Sequence, residues 1–453
     1  MTATQSLERD TDNPEAGPFL VTNRLIFSIA LPMTLGFLTT PLLGLVDTAV
    51  VGRLGQAELL AGLAVGAVMF DLIFTTFNFL RAATTGPCEA YGRGDRREQQ
   101  AVFWRSLMIA LVTGAAIVLI SPILLSAGLW LMGPGPEVAE VTRTYFLYRI
   151  LSGPAALANY AILGFVLGRG EGTLGLMLQT LINGTNIVLS ILLGLFLGWG
   201  VAGVAIGTVA GEVIGALAGF AIVYGRFDSK DAPGWAMIFA RDRLKKLFGL
   251  NRDIMIRSFA LLAAFTLVTR IGTSFGPVTL AANAVLMTIF LVAGYYLDGL
   301  ATAAEQLTGR SIGAGYRPAF DRVLRMTALW SLGLAALTTL ALLAFGNAVV
   351  NMLTTAPDVR ALAYEYMPWA AVTALTGALA FLMDGVFIGA GWSRDMRNMM
   401  LAAFIGYVAA LAVLVPAFGN HGLWAGLTVL LLRGAFLLLM IPRRAAQTFR
   451  PLQ

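Results

Sequence analysis

Twelve stretches of this chain are long and apolar enough to cross a bilayer, and that repetition constrains the fold more than any motif. A helix needs about 20 residues to traverse the hydrocarbon core. The stretches 25–51, 58–80, 101–127, 143–168, 174–198, 201–224, 255–275, 278–304, 322–346, 361–390, 397–417 and 422–441 meet that length. Their apolar runs are continuous rather than alternating, which favours helices over the strands of a barrel. A helix also satisfies its own backbone polar groups in lipid. Composition agrees, since 58% of the 453 residues are hydrophobic and 12% charged, where soluble proteins carry about 25% charged residues. The fold class expected is an all-α polytopic membrane protein.

The basic residues set the orientation. With the N-terminus inside, the outer loops hold only Arg53, Arg143, Arg270 and Arg360, while Arg81, Arg149 and Arg433 lie within or at the ends of spans. All the rest of the 31 Lys and Arg then fall in inner tails and loops. That asymmetry follows the positive-inside rule, so both termini are expected in the cytoplasm, with the chain in a bacterial inner membrane. It also accounts for the net charge of +6 without invoking nucleic acid. One cysteine, Cys88, and one histidine, His421, exclude a disulfide framework and any multi-His or Cys-rich metal site. Residues 1–23 are polar and mixed in charge, without the order of a cleaved signal peptide. They are expected to form a disordered cytoplasmic tail, as is the stretch 443–453.

The two halves resemble each other. "RLG" at 53–55 recurs as "RIG" at 270–272, "AGLAV" at 61–65 as "AANAV" at 281–285, and Gly92 and Gly94 as Gly313 and Gly315. "GFVLGRG" at 164–170 recurs as "GVFIGAG" at 385–391, and "GVAIG" at 203–207 as "GLWAG" at 422–426. The offsets stay between 217 and 221 residues. Six spans per half is an even number, so both halves enter the membrane in one direction, which makes a parallel repeat. The expected organisation is two six-helix bundles, residues 24–224 and 255–442, around a central cleft. The linker 225–254 carries the basic segment "RDRLKKLFGL" at 241–250. Two readings fit it, an amphipathic helix on the inner leaflet and a solvated connector.

Few acids fall within or at the ends of spans: Asp47, Asp71, Glu89, Glu212, Asp298, Glu305 and Asp384. A charge at mid-membrane costs about 2.5–3.5 kcal/mol on insertion scales, so such groups line cavities, find partners or carry protons. Asp47 in "LLGLVDTAVVG" has no partner at helix-face spacing, because Arg53 stands at i+6. In "NGTNIVLS", Asn186 and Ser190 share a helix face at i, i+4. With Thr208 and Asn159 they are candidates to meet Asp47 across the first bundle. Interhelical hydrogen bonding is the plainer role for each. In the second bundle, Asp298 and Glu305 lie two turns apart on one face and Asp384 is a third acid. One of these is expected at the cleft, with a bundle-end structural role as the alternative and Arg310 as a possible mate for Glu305. Asp71 and Glu212 are weaker candidates.

The segments "LPMTLGFLTTPLLGLVDTAVVGRLG", "NRDIMIRS", "NAVLMT", "YLDG" and "DGVFIGA" resemble the DinF-like branch of the multidrug and toxic compound extrusion (MATE) transporters. The resemblance runs from about residue 24 to 442. It implies efflux of small organic, often cationic, compounds against entry of H⁺ or Na⁺, with no bound cofactor. It also implies that Asp47 couples to the ion, that Asn186, Thr208 and Asn159 match polar positions around it, and that Asp384 stands where many members carry an acid. One departure bears on the ion. Many relatives read "NIxLD" where this chain reads "NIVLS", so Ser190 replaces a second acid, and 255–275 holds no acid at all. H⁺ is therefore favoured over Na⁺.

The alternative is a flippase for a lipid-linked or amphipathic substrate, which calls for several cations lining a cleft; only three arginines lie in or beside spans. An enzyme would need a nucleophile–base or metal constellation, and no such motif is present. A monomer in contact with membrane lipid is expected. Ser190→Asp should introduce Na⁺ dependence into transport measured in proteoliposomes, and unchanged ion dependence would count against the argument from the missing acid.

Overall fold

The computed structural model describes residues 19–54, 56–77, 85–353 and 356–449, and every regular element among them is helical. The ends of the tails and part of the expected span 58–80, with Arg81, lie outside the described residues. The first half contains α1 (Asn23–Gly52), α2 (Ala57–Thr76), α3 (Thr85–Gly92), α4 (Arg96–Leu119), α5 (Ser121–Met132), α6 (Pro136–Ile150), α7 (Gly153–Gly168), α8 (Gly172–Ile191) and α9 (Gly200–Tyr224). After α10 (Trp235–Ile238) come α11 (Arg241–Ser274), α12 (Pro277–Gly313), α13 (Arg317–Leu353), α14 (Pro357–Gly389), α15 (Ser393–Phe418), α16 (Asn420–Leu431) and α17 (Arg433–Thr448). Ten helical stretches are long and apolar enough to span, and the bent pair α6–α7 makes an eleventh. The 20 residues of α2 take the place of the second span.

Three boundaries differ from the expectation, each for a local reason. The third span starts at Arg96, where the Asp95 carboxylate accepts the Glu98 amide at 2.9 Å, a helix N-cap. It ends at Leu119, and α5 begins afresh with Pro122 in its first turn. The stretch 143–168 is not one straight helix but bends by 51° between α6 and α7. Pro154 lacks an amide hydrogen and its ring clashes with the carbonyl one turn earlier. The Ser152 hydroxyl donates to the Arg149 carbonyl at 2.8 Å and so satisfies a group that the break exposes. Finally, "RDRLKKLFGL" forms the first turns of α11 and runs without a break into the seventh span. Just before it, Arg105 of α4 donates to the carbonyls of Met237 and Ile238, each at 2.9 Å, and pins the end of α10.

The chain divides into two compact units. One comprises Leu35–Pro87 with Asp95–Asn251; the other takes the chain up to Thr34, Cys88–Gly94 and Arg252–Gln453. In the first, Met69, Phe70, Phe74, Ala110, Phe146, Ile150 and Leu157 form one core cluster. In the second, Leu286, Met367, Tyr407, Trp424 and Leu427 belong to the largest cluster, and Ile26, Ile29 and Ala30 pack on Leu300, Ala303 and Val323.

The repeat is visible in backbone geometry. Gly94 and Gly315 adopt φ of 70° and 65°, and Gly170 and Gly391 of 78° and 69°. The turns match bond for bond: the amide of Glu171 reaches the Val166 carbonyl as that of Trp392 reaches Phe387, at 3.2 and 2.8 Å. Two repeat-related glycines also meet within the second unit. A Cβ on Gly92 would lie 2.3 Å from the Arg310 carbonyl oxygen, and one on Gly313 would lie 2.2 Å from that of Glu89. Here α3 and α12 touch backbone to backbone, the close crossing that small residues permit between membrane helices. Gly313→Val should therefore lower folded yield and thermal stability in detergent by several kcal/mol. Gly333→Ala, with open space around it, should be neutral or favourable. Equal stability of the two variants would mean that the crossing is not tight.

Candidate ion-coupling site in the first half

The candidate side chains of the first unit lie on six helices, Asp47 on α1, Asp71 on α2, Arg149 on α6, Asn159 on α7, Asn186 and Ser190 on α8, and Thr208 and Glu212 on α9. Along α9, Gly203, Gly207 and Gly211 recur every fourth residue. A Cβ on Gly207 would lie 2.7 Å from the Ser190 nitrogen, and one on Gly211 would lie 2.7 Å from the Ile182 carbonyl. Glycine at these positions lets α9 lie against α8, which sets Thr208 and Glu212 beside the helix carrying Asn183, Asn186 and Ser190.

Asp47 is buried near the end of α1, and its Oδ1 forms no hydrogen bond. Two groups act on this carboxyl, the neighbouring Ser190 hydroxyl and the Arg149 guanidinium, the latter through its charge. The Ser190 hydroxyl donates to Asn186 Oδ1 at 2.9 Å. A hydroxyl has one proton, so Ser190 can donate to Asn186 or to Asp47 but not to both. Asp47, Asn186 and Ser190 thus lie in one neighbourhood.

The other two expected residues are engaged elsewhere. Thr208 is buried, with its hydroxyl donating to its own helix at the Val204 carbonyl, 3.1 Å away. Asn159 turns to Glu212, not to Asp47: its Nδ2 donates to the Glu212 carboxylate at 2.6 Å and to the Glu212 carbonyl at 2.8 Å. The reason is position, since α7 faces α9 at this level. Glu212 therefore has a built polar context that its neighbours in sequence do not reveal.

Arg149 is the residue that sequence reasoning missed as a site member. It ends α6 at the bend, with its guanidinium 4.1 Å from the centre of the Phe70 ring, a favourable cation–π arrangement. Tyr145 lies one turn back, and the Arg149 charge acts on Asp47, Asp71 and Glu212. The available signal was a lone arginine inside a span, four residues after a tyrosine.

The second half lacks this arrangement. The repeat offset of 217 maps Asp47 on Ala264, and that of 221 maps Asn186 on Tyr407 and Ser190 on Leu411. Packing supports the mapping, because Gly426 abuts Leu411 and Tyr407 as its counterpart Gly207 abuts Ser190. Tyr407 fills the place with its ring and donates to the Ala264 carbonyl at 3.2 Å.

The three acids expected in the second bundle have different surroundings. Asp384 is buried, and its Oδ2 accepts from Arg433 at 2.8 Å and pairs with Arg257. This carboxylate ties α14 to α17 and α11, a structural role. Asp298 and Glu305 are half-buried on α12, with Tyr295 near the first and Cys88 near the second. Arg310 packs over the rings of Phe19 and Tyr91, at 4.2 and 5.2 Å. Among the described residues, no three His, Cys, Asp or Glu side chains converge as a metal site.

A family model, MatE, matches residues 32–192 and again 254–414, once for each half. The chain belongs to the MatE family. DNA damage-inducible protein F of Escherichia coli K12 is 36% identical over 415 residues, 91% of this chain and 90% of that protein. A probable multidrug resistance protein NorM of Chromobacterium violaceum is 26% identical over 453 residues, 94% of each chain. A MOP superfamily transporter from Pyrococcus furiosus has the same fold, with a TM-score of 0.85 at 17% identity, covering 94% of this chain and 97% of the other. This MatE-family chain is thus a multi-pass membrane protein of a transporter family, with the repeat that the sequence displays.

Removing the acid of the Asp384 cluster leaves the buried Arg433 guanidinium and the half-buried Arg257 guanidinium without their shared carboxylate. Asp384→Asn should destabilise the protein by about 3–5 kcal/mol, the cost of breaking a buried pair. Thermal unfolding in detergent measures this, and a variant as stable as the parent would show that the arginines are solvated.

Proposed function

We propose that this protein is a secondary active antiporter that exports small organic, often cationic, compounds in exchange for H⁺ by alternating access. The observation that carries the reading is Asp47, a buried carboxyl with one oxygen unbonded and a hydroxyl beside it that has a second acceptor. When Asp47 is ionised, its charge attracts a cation and Ser190 can turn its proton towards it. When Asp47 is protonated, its own proton can go to the Ser190 oxygen while Ser190 keeps its bond to Asn186. The Ser190 hydroxyl therefore has an acceptor in both protonation states, and only one of those states attracts an organic cation. Proton and substrate thus oppose each other's binding, and linkage makes that opposition reciprocal. Proton entry adds about 2.3 kcal/mol per 100 mV of membrane potential.

The family, and the name of the NorM relatives as probable multidrug resistance proteins, support export as the direction. The one-sided distribution of Lys and Arg supports both termini in the cytoplasm, and the bacterial relatives support residence in a bacterial inner membrane. The protein acts as a monomer among lipids and carries no cofactor; H⁺ is the coupling ion in preference to Na⁺, given Ser190 where an acid would stand.

Asp47→Asn should abolish substrate movement driven by a pH gradient in inverted vesicles while leaving expression and folding intact. Undiminished gradient-driven transport in that variant would remove Asp47 from the coupling role.

A further inference from the structure

We propose that Arg149 is a tethered counter-cation for the acids of the first half, standing in for a coupled sodium ion, and is thereby the residue that makes the site indifferent to Na⁺. The proposal deepens the antiporter reading and rests on Asp47 being its coupling acid.

A guanidinium has five N–H donors, and a buried one normally forms direct pairs with carboxylates. Arg433 does so, at 2.8 Å from Asp384. Arg149 behaves differently. Its Nε and Nη1 are buried without a hydrogen bond, and among the described residues it has no ion pair within 4 Å. It stands instead over the Phe70 face at 4.1 Å. Yet it is the cation whose charge acts on all three carboxyl groups, Asp47, Asp71 and Glu212. A locked pair would keep Asp47 from exchanging partners. A guanidinium held at a distance supplies positive charge while leaving the Asp47 Oδ1 open to a proton or a substrate cation.

The repeat supplies a second, independent observation. The offset of 221 maps Tyr145 on Tyr366 but Arg149 on Ala370. Asp47, Asp71 and Glu212 map on Ala264, Leu291 and Leu431. The cation and the acids are present together in one half and absent together from the other, as expected of groups that balance one another. A sodium ion entering beside Asp47 would meet this fixed positive charge, and repulsion between like charges in a poorly screened interior is strong. A proton neutralises the carboxyl without adding a separate cation, so it is not excluded in the same way.

The test uses the purified full-length protein in detergent, with thermal unfolding compared in sodium chloride and choline chloride. The parent and Arg149→Lys should unfold at the same temperature in both salts. Arg149→Met should unfold about 2 °C or more higher in sodium, the shift that ligand binding at a few times Kd produces. Adding Asp47→Asn to that variant should abolish the shift. Arg149→Gln, which keeps hydrogen-bonding bulk, serves in place of Arg149→Met if the latter does not fold. A folded Arg149→Met or Arg149→Gln protein that is indifferent to sodium would overturn the proposal, as would a parent already stabilised by sodium. Because the readout needs no transport, it is separate from the antiporter reading, which fails instead if the parent shows no proton-driven flux in proteoliposomes.

Discussion

A charge inside a hydrocarbon slab has to be balanced, hydrated or neutralised, and the polar interior of this protein is organised around that requirement. The two halves meet it differently. In the second half, Asp384 is closed between Arg433 and Arg257, and the charges serve to join helices. In the first half, Asp47 keeps an unbonded oxygen, and its balancing arginine stands off against an aromatic ring. One arrangement is spent on holding a bundle together; the other leaves a carboxyl able to change state. Everything proposed about transport depends on that difference.

Duplication explains how a single chain came to hold both. The halves share left-handed glycines and even individual turn hydrogen bonds, so the backbone plan is the same at these turns. Side chains then diverged on that common plan. Where α8 and α9 pack through Gly207, the small contact leaves room for Ser190 and Asn186. At the corresponding place near Gly426, Tyr407 and Leu411 fill the space, and a tyrosine hydroxyl satisfies the Ala264 carbonyl. The polar site is an asymmetric feature on a symmetric frame.

How much of this was legible in sequence follows from the range of the interactions. Apolar runs and recurring glycines are local signals, so the spans and the repeat were readable. So was the pairing of Asn186 with Ser190, which helical spacing alone provides. The bend at Pro154 was overlooked although its cause is local, because the apolar run continues through it. Contacts between distant residues were not readable. Nothing near Arg149 in the chain announces Asp47 or Glu212, nothing near Asp384 announces Arg433, and nothing near Asn159 says that its interhelical partner is Glu212. In each case the deciding partner lies on another helix, and which helices face each other is a property of packing.

The central claim is that proton and organic cation compete for the one carboxyl of Asp47. Its most direct measurement is proton release when an organic cation is added to purified protein in weakly buffered detergent solution. The account predicts release from the parent and none from Asp47→Asn; undiminished release from the variant would contradict it, because the proton would then reside on another group.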